Sequence, residues 1–291
     1  LFKMKIFKYF FQALFIYLLF FITKIIGLNL SRKFFSLIFI MLGPLLKSKK
    51  VINNNLDRIV KINNKFEKKK IITNMWKNYG MTFAEYMYLH KFRKNNSQIK
   101  IKGQHVLEAI KKKNKPVIFV SGHFANFELM SMELTKNKIN LATIYRPLNN
   151  IFLNPLMEFI RKTYICKNQI KKGLAGVKES INYLKKNYSI AMMIDQRVSE
   201  GESLSFFGDN AFTTTLPAQL SLKFDCNIVP IYISRKKNSN FEIEIYEPIE
   251  PSKEQDIEKN KIKISTKLNK IIEEMILKDP SQWIWTHNRW K

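Results

Sequence analysis

The sequence predicts an α/β domain, built on a largely parallel or mixed central sheet, that follows an N-terminal membrane-anchoring helix. Two patterns support this prediction. Short β-branched or apolar runs alternate with amphipathic stretches through most of the chain, and the first 50 residues contain long uncharged apolar runs. We divide the chain at residue 50: residues 1–50 form a membrane anchor and interfacial segment, and residues 51–291 form the folded domain.

The N-terminal segment is both basic and apolar. Residues 1–50 contain nine Lys or Arg and no Asp or Glu, and three lysines precede the uncharged run Tyr9–Thr23. Continued through Leu28, with Lys24 reaching the headgroups, the run approaches the ~20 residues that span a bilayer. A second block, Phe34–Leu46, is too short to span comfortably and is expected to lie at the interface. A secretory signal is the alternative, but no small-x-small cleavage site follows.

The remaining pattern predicts a helix over Lys65–His90 and then a succession of strands and helices. The expected strands are Pro116–Ser121, Leu141–Tyr145, Ser189–Asp195, Ile228–Ser234 and Phe241–Tyr246. The expected helices are Gln104–Lys113, Phe127–Lys136, Asn154–Thr163, Leu174–Lys186, Pro217–Phe224 and Asp256–Leu277.

The net charge of +27 favours a polyanionic partner: a nucleic acid, an anionic membrane face or an acidic protein. The alternative is a generally lysine-coated surface, because the chain is rich in Lys, Asn, Ile and Phe, as a nucleotide bias would produce. The two cysteines, Cys166 and Cys226, have neither metal-site spacing nor a disulfide pattern, and this favours reduced thiols.

His123 and Glu128 form the principal chemical constellation. Val117–Val120 has the pattern of a buried strand, and it leads through Ser-Gly to His123, with a helix expected from about Asn126 as N-cap. Residues five apart do not share a helical face, but they can meet if His123 lies in the turn, which Gly122 makes flexible. A histidine beside a carboxylate is an oriented general base. On spacing alone, however, a loop histidine and a first-turn acid that complements the helix dipole are the simpler interpretation.

Three further polar groups stand near the ends of expected elements. Arg146 follows a strand, where it could bind a phosphate or carboxylate, and Arg161, near the end of a helix, could do the same. Asp195-Gln196 ends a strand, a common place for site residues in α/β sheets. Each alone is more often a surface or structural group. The aromatic runs Phe206-Phe207-Gly208 and Trp283–Trp290 are first interpreted as core or membrane-edge packing.

Taken in order, these stretches resemble the lipid A late acyltransferase family, the Kdo-dependent lauroyl/myristoyl acyltransferases of Gram-negative bacteria. The block His123-Phe-Ala-Asn-Phe-Glu128 is similar to the family's His-Phe-Gly-Asn-Trp-Glu block, a His-x4-Glu motif. Tyr145–Asn149 is similar to its Tyr-Arg-Pro-x-Asn block, and Trp285–Lys291 to its terminus. Ala125 and Phe127 replace a Gly and a Trp of the family pattern, and Asn288 an Arg.

The resemblance implies a glycerolphosphate-acyltransferase-like central mixed sheet flanked by helices, with residues 51–291 as the catalytic domain. It implies an acyl carrier protein thioester as donor, an anionic glycolipid (a lipid A precursor) as acceptor, and no metal or redox cofactor. His123 would be the base, Glu128 its partner and Arg161 a further catalytic residue. Asn126, Arg146 and Asp195 would bind substrate.

The resemblance also implies a place on the cytoplasmic side of the bacterial inner membrane, held by a single anchor. An acyltransferase with another glycolipid or membrane-lipid acceptor remains an alternative, because it would share the motif. A nucleic-acid-binding protein is disfavoured, since no signature of one occurs. A non-catalytic membrane scaffold is disfavoured by the presence of both His123 and Glu128.

Overall fold

The computed structural model describes residues 2–59, 64–94, 97–251 and 256–290. Seven strands form one sheet in the order β1-β9-β8-β2-β5-β3-β4, and β6 and β7 form a separate hairpin. Within the sheet β8 and β9 run antiparallel, whereas the other neighbouring pairs are parallel. The strands are β1 (Ile99–Lys102), β2 (Ile118–Ser121), β3 (Leu141–Tyr145), β4 (Asn168–Lys171), β5 (Ser189–Met193), β6 (Glu202–Phe206), β7 (Asp209–Thr213), β8 (Ile228–Arg235) and β9 (Phe241–Ile245).

Helices cover the sheet and extend from it at the N-terminus. The α-helices are α1 (Phe2–Ile26), α2 (Leu28–Leu46), α3 (Lys49–Ile59), α4 (Lys65–Glu85), α5 (Leu89–Lys94), α6 (Gln104–Lys113), α7 (Glu128–Lys136), α8 (Asn154–Ile160), α9 (Leu174–Lys185), α10 (Leu216–Phe224) and α11 (Ile257–Lys278). The predicted mixed α/β class is confirmed, while the more specific glycerolphosphate-acyltransferase-like fold stays a prediction.

The strands in the middle of the sheet are buried on both faces. Ile118 and Val120 of β2 belong to one hydrophobic cluster, whereas Phe119 between them belongs to the other. Alternate side chains of a strand point to opposite faces, so a strand covered on both sides is apolar at every position. All five expected strands are present, each within a few residues of its predicted bounds.

The sequence missed the edge strands and the hairpin. Strand β1 alternates Ile and Lys at one edge of the sheet, and β4 at the other edge is mainly polar, so neither has a buried-strand pattern. The hairpin turns at Phe207 and Gly208, which both have positive φ, as a tight hairpin turn requires. The aromatic run there was interpreted only as packing.

The second apolar helix is longer than predicted. We expected an interfacial block over Phe34–Leu46, but α2 begins at Leu28 and includes Arg32. Arg32 does not interrupt the helix because it is buried against Glu85 of α4, with Nε 2.7 Å from the carboxylate. Both α1 and α2 are therefore long and apolar enough to cross a membrane by length and composition.

Candidate active site

The candidate site lies at the carboxyl edge of the parallel strands, where β2, β5 and β3 are neighbours. Ser121 ends β2 and Tyr145 ends β3, and Asp195 follows β5 by two positions. Loops that leave adjacent parallel strands at this edge meet in space, which is the usual place of a site in α/β sheets. His123, Arg146 and Asp195 are brought together in this way.

The turn after β2 is shaped by two small residues. A Cβ atom on Gly122 would lie 2.7 Å from the Phe124 ring and 3.3 Å from the Cβ of Asp195, so the residue is needed for space. The left-handed position of the turn is instead Ala125, with φ of 45°. A glycine is favoured at such a φ, which gives a physical reason for the family's Gly at this place.

His123 contacts Asp195 in the structure. Its Nδ1 lies 2.8 Å from Oδ1 of Asp195, and its backbone N–H donates to Oδ2 at 2.9 Å. The indole Nε1 of Trp283 donates to the same Oδ2 at 2.8 Å. Asp195 therefore takes the position beside the imidazole that was expected for Glu128.

The environment of Asp195 keeps it ionised. Burial by itself raises the pKa of a carboxyl group, but the charge of His123 and the hydrogen bonds from His123 and Trp283 lower the pKa of Asp195 to about 2. An ionised carboxylate that accepts from Nδ1–H fixes the imidazole tautomer, so that Nε2 is the nitrogen able to take a proton. The His123 side chain is 19% exposed, so the ring is accessible while the carboxylate beneath it is not.

Glu128 contacts Arg161 and Tyr86. Both Nε and Nη2 of Arg161 donate to Oε1 of Glu128, at 2.9 and 2.7 Å, and the Tyr86 hydroxyl donates to the same oxygen at 2.9 Å. Burial lowers the pKa of an arginine, yet the facing Glu128 carboxylate raises the pKa of Arg161 above its usual range. The expected direct contact between Glu128 and His123 is not among the hydrogen bonds of the described residues, because the first turn of α7 aims the carboxylate at Arg161.

His123, Glu128 and Arg161 line one cavity of about 200 Å³. Its charged or titratable lining includes His123, Glu128, Arg146, Arg161 and Lys172, and uncharged polar residues such as Gln169 and Gln196 lie among them. Its apolar lining includes Phe127, Ile144, Met192, Met193, Val198 and Leu216. A cavity with convergent polar groups and an apolar wall suits a substrate that carries a hydrocarbon part and an anionic part.

Asn126 does not line this cavity. It is almost fully buried, and its Nδ2 donates to Oε2 of Glu85 at 3.0 Å. Glu85 is itself paired with Arg32 and Arg235. Nor is Asn126 the N-cap of α7, since that helix begins at Glu128 and Phe127 precedes it without a side-chain cap. The predicted substrate contact at Asn126 thus has no geometric support, and the residue joins the turn to a buried ion-pair network.

Sequence reasoning missed Lys172 and His287. Lys172 follows β4, an edge strand that the sequence did not reveal, and partial burial together with the nearby Arg146 lowers its pKa. His287 accepts a hydrogen bond at Nε2 from the backbone N–H of Arg197 at 2.9 Å, and burial lowers its pKa to about 4. The terminal block pointed to His287, although only as part of a resemblance, and its last residue, Lys291, lies outside the described residues.

Among known families, the one described as "Bacterial lipid A biosynthesis acyltransferase" matches residues 2–291. The chain belongs to this family. It is 26% identical over 261 residues to the lipid A biosynthesis palmitoleoyltransferase of Escherichia coli (strain K12), covering 86% of this chain and 81% of that protein. The lipid A biosynthesis acyltransferase of Shigella flexneri matches with the same identity and coverage.

The predicted family is thereby confirmed. Membership of the lipid A acyltransferases makes the chain an acyltransferase of lipid A biosynthesis, with a glycolipid acceptor and an association with the bacterial inner membrane. Within the described residues, no group of three or more His, Cys, Asp or Glu is arranged to hold a metal ion.

Proposed function

We propose that this lipid A acyltransferase moves a fatty acyl chain from an acyl carrier protein thioester to a hydroxyl group of a lipid A precursor, with His123 as general base. The observation that carries the proposal is the 2.8 Å contact between Nδ1 of His123 and the buried Asp195, in a cavity with an apolar wall. This contact leaves Nε2 as the base and stabilises the imidazolium once it has formed.

The reaction takes place by direct transfer. Nε2 of His123 removes the proton of the acceptor hydroxyl as its oxygen attacks the thioester carbonyl carbon, and the carbonyl oxygen becomes an oxyanion. When this tetrahedral species collapses, the C–S bond breaks, and the leaving sulfur takes the proton from the imidazolium. The products are an ester and a free thiol on the carrier, and His123 is neutral again.

Glu128 and Arg161 act in this proposal as a fixed pair. Because Glu128 accepts both Nε and Nη2 of Arg161, the guanidinium is held in one orientation at the cavity. We assign to Arg161 the stabilisation of negative charge that develops on the thioester carbonyl oxygen. Glu128 then contributes by positioning Arg161 rather than by orienting His123.

The charge of the chain suits both substrates. Acyl carrier protein is acidic, and a lipid A precursor carries phosphates and carboxylates, so a net charge of +27 would steer both toward the enzyme. Arg146 and Lys172 place positive charge at the cavity itself, where an anionic group of either substrate would lie. The two cysteines are buried free thiols, in keeping with a catalytic domain on the cytoplasmic side.

The test is acyl transfer by the purified full-length chain in detergent. Acyl carrier protein with a labelled acyl chain is incubated with a Kdo-bearing lipid A precursor, with other membrane glycolipids, or without an acceptor. The products of each reaction are identified by mass spectrometry. We expect a single acyl addition to the lipid A precursor that His123→Ala abolishes. Preferential acylation of another lipid would establish the alternative acceptor, and transfer unaffected by His123→Ala would refute the mechanism.

A further inference from the structure

Helix α1 contacts the folded domain (residues 51–291) along most of its length. The backbone carbonyl of Tyr9 accepts from Asn150 Nδ2 at 2.8 Å, and the Tyr17 hydroxyl donates to the carbonyl of Phe152 at 2.8 Å. Near the other end, the Tyr88 hydroxyl donates to the carbonyl of Thr23 at 2.6 Å. From Tyr9 to Thr23 a helix rises about 21 Å, a large part of the ~30 Å hydrocarbon thickness of a bilayer.

The opposite side of α1 is apolar and exposed. Phe7, Leu14 and Phe21 recur at steps of seven, with further exposed apolar residues between them at Met4, Phe11, Leu18 and Ile25. The face toward the folded domain includes the buried Ala13, Phe20 and Thr23. The helix therefore has a protein-facing side and a lipid-facing side, instead of being surrounded by lipid.

The segment that α1 contacts has no regular backbone structure. Residues 146–153 contain neither helix nor strand, and they meet α1 between Tyr9 and Tyr17, its middle part. If α1 crossed the bilayer, this segment would lie in the hydrocarbon layer. Irregular backbone exposed to lipid is too costly there, because its polar groups have no water to bind. Crossing the bilayer and docking on the folded domain are thus incompatible.

Exposed apolar side chains of the same segment continue the surface of α1. Ile151 is 57% and Leu148 is 40% exposed, and both lie beside Asn150, which holds α1. Helix α2 behaves similarly: Arg32 and Ser36 bind α4 on one side, while the other side exposes a row of apolar residues, Leu30, Phe34, Leu37, Met41 and Leu45.

We infer that α1 lies in the plane of the membrane and does not cross it. The exposed apolar face of α1, together with Leu148 and Ile151, forms one surface that inserts into a single leaflet. The partner is a lipid bilayer. Lys5, Lys8 and Lys24 are exposed near the two ends of this surface, within reach of anionic headgroups. The chain is in this arrangement bound to one face of the bilayer.

If the proposed function holds, this arrangement also determines how the lipid acceptor reaches the cavity. Arg146 lines the cavity and comes two positions before Leu148, so the membrane surface reaches the mouth of the cavity. A glycolipid acceptor then moves from the leaflet into the site without leaving the bilayer, while the carrier protein approaches from water.

Depth measurement by fluorescence quenching tests the inference without use of acyl transfer. Single cysteines at Phe7, Leu14 and Phe21 of the full-length chain are labelled with a bimane dye and quenched by nitroxide lipids of known depth. An in-plane helix gives similar depths at all three positions, whereas a spanning helix places Leu14 well below the other two. The native cysteines are buried, so the unmodified chain serves as the labelling blank.

A second pair of labels tests whether residues 146–153 contact lipid. We expect Ile151→Cys to be quenched by lipid nitroxides, and Ile257→Cys, also an exposed apolar position, to remain unquenched. Ile257 is exposed at the first turn of α11, a helix that packs against α10, β6 and β8. A graded depth profile with Leu14 deepest, or equal quenching at 151 and 257, would overturn the inference even if the enzyme transfers acyl chains.

Discussion

Replacing Asp195 with asparagine shows which acid serves His123. Asn is isosteric, and its single oxygen can accept from the His123 backbone N–H and Trp283 Nε1, as Oδ2 of Asp195 does. Its NH2 group then faces Nδ1 of His123, which must become an acceptor. The proton moves to Nε2, and that nitrogen can no longer act as the base.

The size of the effect follows from the contacts of Asp195. Its pKa falls from 3.8 to about 2, so the folded environment favours the carboxylate by about 2 kcal/mol, and His123 supplies much of this attraction. If the whole of that free energy were lost from the transition state, the rate would fall roughly thirtyfold. The wrong tautomer adds to the loss, as in serine proteases, where the same change lowers kcat about 10⁴-fold. We expect a fall of about 10²–10⁴-fold.

The assay is transfer from acyl carrier protein, measured together with the imidazole ¹⁵N NMR signals of the unmodified chain, Asp195→Asn and Glu128→Gln. Asp195→Asn should move the His123 proton from Nδ1 to Nε2 and lower the rate of transfer. Glu128→Gln should lose most activity through misplacement of Arg161 and leave the His123 proton on Nδ1. A proton that stays on Nδ1 in Asp195→Asn but moves in Glu128→Gln would refute the assignment and restore Glu128 as the direct partner.

Three further changes have defined outcomes. His123→Ala should abolish acyl transfer without lowering the unfolding temperature, and appreciable turnover would exclude it as the base. Glu85→Gln should destabilise the fold by about 3–5 kcal/mol in denaturant titrations, because it leaves two buried arginines with an uncharged partner; Glu247→Gln, whose carboxylate meets only the exposed ring of His105 among the hydrogen bonds of the described residues, should cost under about 1 kcal/mol. Ala125→Gly should stabilise the fold by about 1 kcal/mol by relieving a positive φ, and a loss of stability would contradict that reasoning.

The central strands and most helices could be predicted because their patterns are local. Strand β2 is apolar at three consecutive positions, and each helix from α6 to α11 corresponds to one of the helices expected from the sequence. Edge strands such as β4 lack that signal, because β4 has one neighbouring strand and mainly polar residues. Lys172, which follows β4, was missed for the same reason.

The sequence pointed to four residues that share one cavity, but not to how the residues of the candidate site pair. His123, Glu128, Arg146 and Arg161 do line one cavity. That His123 is bonded to Asp195 depends on β2 and β5 being neighbours, which brings together residues far apart in the chain. Strand order cannot be derived from local patterns, so the sequence favoured the nearer acid. The spacing argument was sound in one respect, because two residues five apart do not share a helical face.

The turn that carries His123 is held by contacts independent of substrate, and these contacts reach the membrane helices. The backbone N–H of Ala125 donates to the carbonyl of Gln282 at 2.9 Å, and its carbonyl accepts from the Thr82 hydroxyl at 3.1 Å. The next residue, Asn126, binds Glu85, which pairs with Arg32 of α2. A base held within a few tenths of an ångström needs such support from rigid elements. Helix α2 is therefore part of what fixes the site, and its loss would disturb catalysis even where the chain still binds membranes.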